Sequence, residues 1–427
     1  MRMHDTDGTD WPAFLRGLFD VAVAAADPMC CVPDALPERP EGRVFVVGAG
    51  KASARMAEAV EQVWPDVPGY VITRYGYERP TKSIEIVSAA HPVPDAAGRD
   101  ATREMLNRLQ DYGEGDLVIA LISGGGSALM IDPAGDITLE EKQAVNAALL
   151  ASGAPITQMN TVRKHLSRVK GGQLAAAVHP ARLITLMISD IPGDDPAFIA
   201  SGPTVGDDTT PDDALAIAQR WGIDLPASVR AVLGGPTGVV PTSDPRLATC
   251  ENIIVAAPSQ SLAAAAEAAT GCTTDILGDA LEGEARDLAQ THATLARDLA
   301  AKLTATDKPQ LLLSGGECTV TRRGDGIGGP NAEYALALAI ALDGHSQIYA
   351  IACDTDGVDG AAEVAGATIG PDTLTRAAAL NLDAQDFLSR NDAHTFFEKI
   401  DCQIVPGPTL TNVNDFRAIL ILPPNAT

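Results

Sequence analysis

The sequence predicts an α/β protein built from two domains. Short continuous runs of Val, Ile and Leu, such as Arg43-Val-Phe-Val-Val47 and Leu117–Ile122, alternate with amphipathic stretches of helical length. That is the pattern of a mainly parallel sheet covered on both faces. A chain of 427 residues exceeds what one hydrophobic core usually holds. The Gly/Pro-rich stretch Gly234–Pro245 interrupts the alternation and reads as a linker, which sets the domains at residues 1–245 and 246–427.

The elements follow in order. Trp11 to Asp27 reads as an amphipathic helix ended by Asp27-Pro28. Strand 43–47 leads into helix 52–64, and strands 69–73 and 84–88 into helix 96–111. Strand 117–122 precedes helix 138–151, and strand 183–188 precedes helix 212–221. Beyond the linker come strand 252–257, helix 259–270, strand 311–314, helix 331–342, strand 347–352, helix 372–380 and a closing strand 418–422.

Charge narrows the function classes. Lys and Arg number 31 against 56 Asp and Glu, a net charge of −25. Such a surface is unsuited to nucleic acid or anionic membranes. The seven cysteines are scattered with no C-x-x-C pair, and the first ten residues are polar and acidic, unlike a signal peptide. Reduced thiols in the cytoplasm are expected, and no apolar run reaches membrane-spanning length.

Two strands end in a Ser-Gly-Gly turn: Leu117–Ile122 into Ser123-Gly124-Gly125-Gly126-Ser127, and Leu311-Leu-Leu-Ser314 into Gly315-Gly316-Glu317. Glycines there bring backbone N–H groups close to a ligand with no Cβ in the way, and a following helix adds its dipole. A third turn, Gly48-Ala-Gly50-Lys51-Ala-Ser53, nearly matches a dinucleotide fingerprint, but Ser53 holds the third glycine position. The next strand ends at Arg74 with no carboxylate for a ribose. Lys51 would point to the carboxyl end of the sheet.

Asn160 to Lys170 is the densest basic cluster in this acidic chain, with Arg163, Lys164, His165, Arg168 and Lys170. On a helix Arg163 and Lys170 share a face and Lys164 and Arg168 share the next, so an anion is the natural compensation. Acidic loops at strand ends, Ser189-Asp190 through Asp194-Asp195, Asp354-Thr-Asp356 through Asp359-Gly360, and Asn412 to Asp415, supply carboxylates. These hold Mg²⁺ well once phosphate oxygens complete its shell. An EF-hand, a Walker A loop, a protein-kinase signature and a G-x-S-x-G elbow are absent.

Gly48-Ala-Gly-Lys-Ala-Ser53, Ala90-His-Pro-Val-Pro-Asp95, Ser123-Gly-Gly-Gly-Ser-Ala-Leu129, Asn160-Thr-Val-Arg-Lys-His-Leu166, Ile199-Ala-Ser-Gly-Pro-Thr204, Ser314-Gly-Gly-Glu317, Asp354-Thr-Asp-Gly-Val-Asp-Gly360 and Thr411-Asn-Val-Asn-Asp415 occur in that order. From about Trp11 to Leu422 this series resembles the glycerate 2-kinase family with a C-terminal MOFRL domain, some of whose members carry a hydroxypyruvate reductase label. The resemblance implies a Rossmann-like αβα N-terminal domain, a smaller C-terminal α/β domain whose MOFRL region runs over about 305–427, and an active site in the cleft between them. It implies ATP- and Mg²⁺-dependent phosphorylation of D-glycerate at the 2-hydroxyl, giving 2-phosphoglycerate. Lys51 matches the family's functional lysine. The family's second functional residue, an arginine, is replaced by Pro330, so Arg322 or Arg323 substitutes for it or it is dispensable.

The expected site therefore comprises several groups. Lys51 and Asp190 are catalytic, with Asp194 as the alternative base. Ser123, Gly124, Gly125, Gly126, Ser127, Asn160, Arg163, Lys164 and Lys170 hold substrate or phosphate. Gly48, Gly50, Gly315, Gly316, Glu317 and Asn331 hold nucleotide, and Asp190, Glu317 and Asp354 hold Mg²⁺. Gly315-Gly316 runs into Glu317, whose charge repels a bare phosphate, so Gly124–Gly126 is the better phosphate cradle. The competing readings are a NADPH-dependent hydroxypyruvate reductase using Gly48, Gly50 and Arg74, and a non-catalytic binder of phosphorylated metabolites. The expected partners are ATP and D-glycerate, without nucleic acid or membrane, and a homodimer is left open.

Overall fold

The computed structural model describes residues 10–360 and 362–424. The chain divides into two compact units. One holds residues 28–190 and 194–255, the other 10–27, 191–193 and 256–424. The Gly/Pro-rich stretch expected to be a linker lies inside the first unit. There the Val240 N–H donates to Gly171 O (3.0 Å), and Asp208 accepts from the Thr242 N–H (2.9 Å). The chain passes from one unit to the other near 255, not at 245. The helix Trp11–Ala25 belongs to the second unit.

The first unit is built on β1 (Val44–Ala49), β2 (Gly69–Arg74), β3 (Ile84–Ala89), β4 (Leu117–Ile122), β5 (Arg182–Ile188) and β6 (Cys250–Ala256), in the order β3-β2-β1-β4-β5-β6. Pairings of β1 with β2 and β4, of β2 with β3, and of β4 with β5 are all parallel. β1 and β4 are buried along their whole length, as a sheet covered by helices on both faces requires. This is the order of a doubly wound nucleotide-binding fold, whose ligand crevice opens at the carboxyl ends of the two strands where the winding reverses. Here those strands are β1 and β4, and the Lys51 turn and the Ser123–Ser127 turn follow them directly.

The second unit adds β7 (Thr273–Gly278), β8 (Gly283–Glu284), β9 (Gln310–Ser314), β10 (Cys318–Thr319), β11 (Ile348–Asp354), β12 (Gly366–Ile369), β13 (Gln403–Ile404) and β14 (Asp415–Ile421). Six of them form a sheet in the order β13-β12-β11-β14-β9-β7, while β8 and β10 make a short parallel pair. Only β7–β9 is parallel in the large sheet. β9–β14, β14–β11, β11–β12 and β12–β13 are antiparallel. This departs from the mainly parallel sheet that the unbroken apolar strands suggest, and burial is the reason. Leu311, Leu313, Ile351, Phe416, Ala418 and Leu420 pack with Phe14, Leu15, Leu18 and Phe19 of the first helix. Leu312, Ala350, Ala352, Ile419 and Ile421 face the opposite core with the helices Ala285–Ala300 and Pro330–Leu342. An antiparallel sheet covered on both faces loses its polar alternation and reads as parallel.

Helix Pro330–Leu342 starts at proline, whose missing N–H is harmless in the first turn. Its N-cap, Gly329, offers no side chain. Asp359 does that work from a distant loop, accepting from the N–H of Asn331 (2.9 Å) and of Ala332 (2.8 Å). In the same helix Glu333 is fully buried, with Arg286 donating to it at 2.6 Å and Asn391 at 3.0 Å. Removing one partner of such a pair strands a buried charge. Arg286→Ala is therefore expected to cost about 3 kcal/mol, read as a lower urea midpoint for the second unit, while Arg16→Ala, losing an exposed i,i+4 pair with Asp20, changes it by less than about 1 kcal/mol.

Candidate active site

The turns after β1 and β4 are locked to each other. The Lys51 N–H donates to Gly124 O (2.8 Å), the Ala52 N–H to Ser123 Oγ (3.0 Å), and Ser53 Oγ lies 3.1 Å from Ser123 Oγ. The Gly50 N–H donates to Ile72 O and the Ser53 N–H to Gly50 O. Gly48 sits inside β1, where a Cβ would come within 2.4 Å of Leu121 O. A Cβ on Gly50 would lie 2.0 Å from Ser123 Oγ. These glycines let β4 and its turn approach. The nucleotide role expected of Gly48 and Gly50 is not what their backbone does, because the amides of the turn are already bonded within the protein.

The β4 turn is the reverse case. Gly126 N–H donates to Ser123 O, and the N–H groups of Ala128 and Leu129 to Gly125 O. The amides of Gly124, Gly125 and Ser127 donate to no described residue. Gly125 adopts φ +80, and a Cβ there would stand 2.9 Å from His91 Cδ2 and 3.3 Å from Lys51 Cγ. His91, Lys51 and three open amides thus converge on one turn, an arrangement able to hold an anion. His91 was not expected in the site, although its Ala90-His-Pro segment was among the motifs.

A polar chain runs outward from this turn. Ser127 Oγ is hydrogen-bonded to Ser201 Oγ (2.5 Å), which donates to Asn160 Oδ1 (3.1 Å). Arg163 Nη1 lies 3.5 Å from the same Oδ1, and its Nε donates to Asn146 Oδ1 (3.0 Å). Burial pushes the Arg163 guanidinium below its usual range, and amides rather than carboxylates face it.

The rest of the basic cluster differs from expectation. The helix carrying it ends at His165, so Lys170 and Arg168 lie beyond it and the predicted shared faces do not form. Lys164 is buried and paired with Asp207 at 2.6 Å, so its charge is already met inside the protein. His165 lies between Thr209 and Thr237. Lys170 is 2% exposed and donates to Ser127 O (2.8 Å) and Met130 O (3.2 Å). It therefore braces the turn from behind.

Asp190 and Asp194 lie in the loop after β5. Asp190 is half-buried two residues beyond the strand. Asp194 takes φ +53, and its Oδ1 is buried without a hydrogen-bond partner. A strained residue with an unserved carboxylate oxygen is unusual away from a functional site.

In the second unit Gly315 and Gly316 serve packing. Gly315 N–H donates to Gly278 O (2.8 Å), Arg417 donates to Gly315 O (3.0 Å), and a Cβ on Gly316 would meet Leu281 N at 2.2 Å. Asn331 is buried, with its amide donating to Asp415 at 2.6 Å. Burial raises the Asp415 carboxyl to about 6 despite the Arg417 guanidinium bonded to it. Arg322 donates only to carbonyls of its own loop, and Arg323 is exposed with its N–H on Asn391. Neither joins this cluster; its buried arginine is Arg417, which sequence reasoning missed. Glu317 is exposed and Asp354 half-buried at the end of β11. Among the described residues no three His, Cys, Asp or Glu side chains gather as a metal site, so Asp190, Glu317 and Asp354 are not a preformed cage.

Comparison with known proteins places this geometry. The domain of unknown function DUF4147 matches residues 14–234 and the MOFRL family residues 310–415. A crystal structure of glycerate kinase from Thermotoga maritima superposes with a TM-score of 0.87 at 35% identity, covering 96% of this chain and 99% of that one. The chain belongs to the glycerate kinase family. A D-glycerate 2-kinase of Thermotoga maritima is 36% identical over 94% of this chain and 96% of its own length. A relative from Agrobacterium vitis that bears a hydroxypyruvate reductase name is 54% identical over 95% of this chain and 94% of its own. Both labels thus occur within one family, and the site has to distinguish them.

Gly125 and Gly115 both adopt positive φ, but nothing lies within 4 Å of a Cβ on Gly115. Gly125→Ala and Gly115→Ala are expected to share a conformational cost of about 1–2 kcal/mol in thermal unfolding. Only Gly125→Ala should also abolish sulfate binding measured by calorimetry, because its methyl meets His91 and Lys51.

Proposed function

We propose that this protein transfers the γ-phosphoryl group of ATP to the 2-hydroxyl of D-glycerate, giving 2-phosphoglycerate and ADP. The observation that carries the proposal is the Ser123–Ser127 turn, whose amides of Gly124, Gly125 and Ser127 point to no described acceptor at the strand ends where this fold binds ligands. Phosphoryl transfer demands mainly positioning and neutralisation of charge. The three amides and Lys51 offer donors to the transferring phosphoryl, and Arg163 offers a planar fork to the glycerate carboxylate. Asp190 is the proposed acceptor of the 2-hydroxyl proton, with Asp194 as the alternative.

Mg²⁺ keeps several waters and takes its remaining oxygens from phosphates, so it does not need a cage of three protein ligands. Asp190, Glu317 and Asp354 are the proposed carboxylates for it, and it would offset the charge of the triphosphate. The family relationship supports the choice of glycerate and of the 2-hydroxyl. The seven free thiols fit a cytoplasmic setting, and no described helix is long and apolar enough to cross a membrane.

The reductase name of the Agrobacterium vitis relative raises the second reading. A dinucleotide needs open amides after β1 to hold its pyrophosphate. Those amides are bonded internally, so Arg74 at the end of β2, a residue type suited to the 2′-phosphate of NADPH, has no pyrophosphate cradle beside it. With ATP, Mg²⁺ and D-glycerate the NMR spectrum of the product is expected to be that of 2-phosphoglycerate, and NADPH absorbance with hydroxypyruvate to stay constant. Formation of 3-phosphoglycerate, or oxidation of NADPH, would contradict the proposal. Lys51→Ala should lower kcat/KM by about a hundredfold or more, and whichever of Asp190→Asn and Asp194→Asn loses the larger factor in kcat marks the base.

A further inference from the structure

Three cations lie together behind the phosphate turn in a chain of net charge −25. Lys142, on the helix Leu139–Ser152, is 3% exposed and donates to Arg163 O (3.2 Å) and Leu166 O (2.6 Å). Lys170 donates to Ser127 O and Met130 O. Arg163 stands between them electrostatically and lowers the proton affinity of both. No carboxylate of the described residues lies within ion-pair distance of any of the three. The nearest influence of that kind, Asp132, is already paired with Arg103 at 2.8 Å.

Buried charges are ordinarily paired or give up their proton. The other buried cations obey this rule: Lys164 has Asp207, and Arg417 has Asp415. Arg163 cannot give up its proton, and its side chain meets only the amide oxygens of Asn146 and Asn160. A group of basic side chains that the fold leaves without an acid, beside a turn with three open amides, suits a negative charge from outside.

We propose that Lys142 and Lys170 are positioning residues beneath the Ser123–Ser127 turn whose ammonium charges, left without an acid by the fold, are stabilised only when an oxyanion binds at the turn and Arg163. Neither lysine touches the ligand. Lys142 acts by tying the last carbonyls of the helix that carries Arg163, and Lys170 by tying the carbonyls that flank the turn. The inference rests on reading the turn as the anion cradle, but not on which reaction follows.

Burial, and then Arg163, push the Lys170 ammonium down to about 7, and Lys142 is lowered well below its usual range. The charged groups bearing on Lys142 are Lys170, Arg163 and Asp132, and the one bearing on Lys170 is Arg163. In the free protein at pH 8 Lys170 is therefore largely neutral. An anion at the turn favours its charged form, so binding takes up a proton and weakens as pH rises above 7.

Sulfate, whose charge is fixed across this range, is the probe. Calorimetric titration of the full-length protein at pH 8, in two buffers of different ionisation enthalpy, is expected to show net proton uptake that disappears in Lys170→Met. Lys142→Met and Lys170→Met should each weaken sulfate tenfold or more at pH 6, where an ammonium beneath the turn is charged. Should Lys142→Met fail to fold, Lys142→Gln, which can still donate to a carbonyl, is expected to show the same loss of sulfate. Sulfate affinity within twofold of the parent in these variants, or binding without proton uptake, overturns the proposal and leaves the lysines as clamps on carbonyls. A protein that binds sulfate as described but does not phosphorylate glycerate would sink the kinase reading alone.

Discussion

The site depends on the interlock between the turns after β1 and β4. Ser123 is at its centre: its hydroxyl receives the Ala52 N–H and faces Ser53, while the adjacent Gly124 carbonyl receives the Lys51 N–H. The amides after β1 are thereby consumed, and those after β4 are left open. A turn that in a dinucleotide-binding fold would cradle pyrophosphate becomes a structural buttress. Its lysine, carried on that buttress, is delivered beside Gly125. This division of labour supports the proposed phosphoryl chemistry over hydride chemistry within a strand order that serves both.

The same constraint separates the two Ser-Gly-Gly turns. Both follow buried strands and both need glycine. In the first unit glycine clears space for His91 and Lys51; in the second it clears space for the Gly278–Leu281 backbone. The repeated tripeptide reflects a shared steric need, and the chemistry around each turn differs. Open amides and basic side chains without an acid partner surround one, while buried carboxylates on Asp359 and Asp415, satisfied by Asn331 and Arg417, surround the other.

Much of the architecture was legible in the sequence where burial leaves a strong pattern. β1, β4 and β9 and the helices after β1 and β9 fall close to their expected positions. The helix Ala285–Ala300 was not foreseen, because its inward stripe is Ala285, Ala289, Ala293, Ala296 and Ala300, small residues with little hydrophobic contrast. Strand direction in the second unit was hidden by double-sided burial. In the site, the glycine turns, Lys51, Asn160 and Arg163 were visible as motifs, but the partner that each cation would find was not. Lys164 meets Asp207, 43 residues away, and no local signal announces such a pair. Lys142 sits in a run with Glu140 and Glu141 and looks like a surface residue until the fold buries it.

The central claim is that the ligand anion rests on the amides after β4 and not on the other glycine turns. Amide NMR of protein labelled with ¹⁵N at glycine and serine, titrated with a non-hydrolysable ATP analogue and D-glycerate, addresses it residue by residue. Large downfield shifts are expected at Gly124, Gly125 and Ser127, with Gly48, Gly50, Gly315 and Gly316 moving little. Large shifts at Gly48 and Gly50 with an unmoved Gly124–Ser127 turn would contradict it.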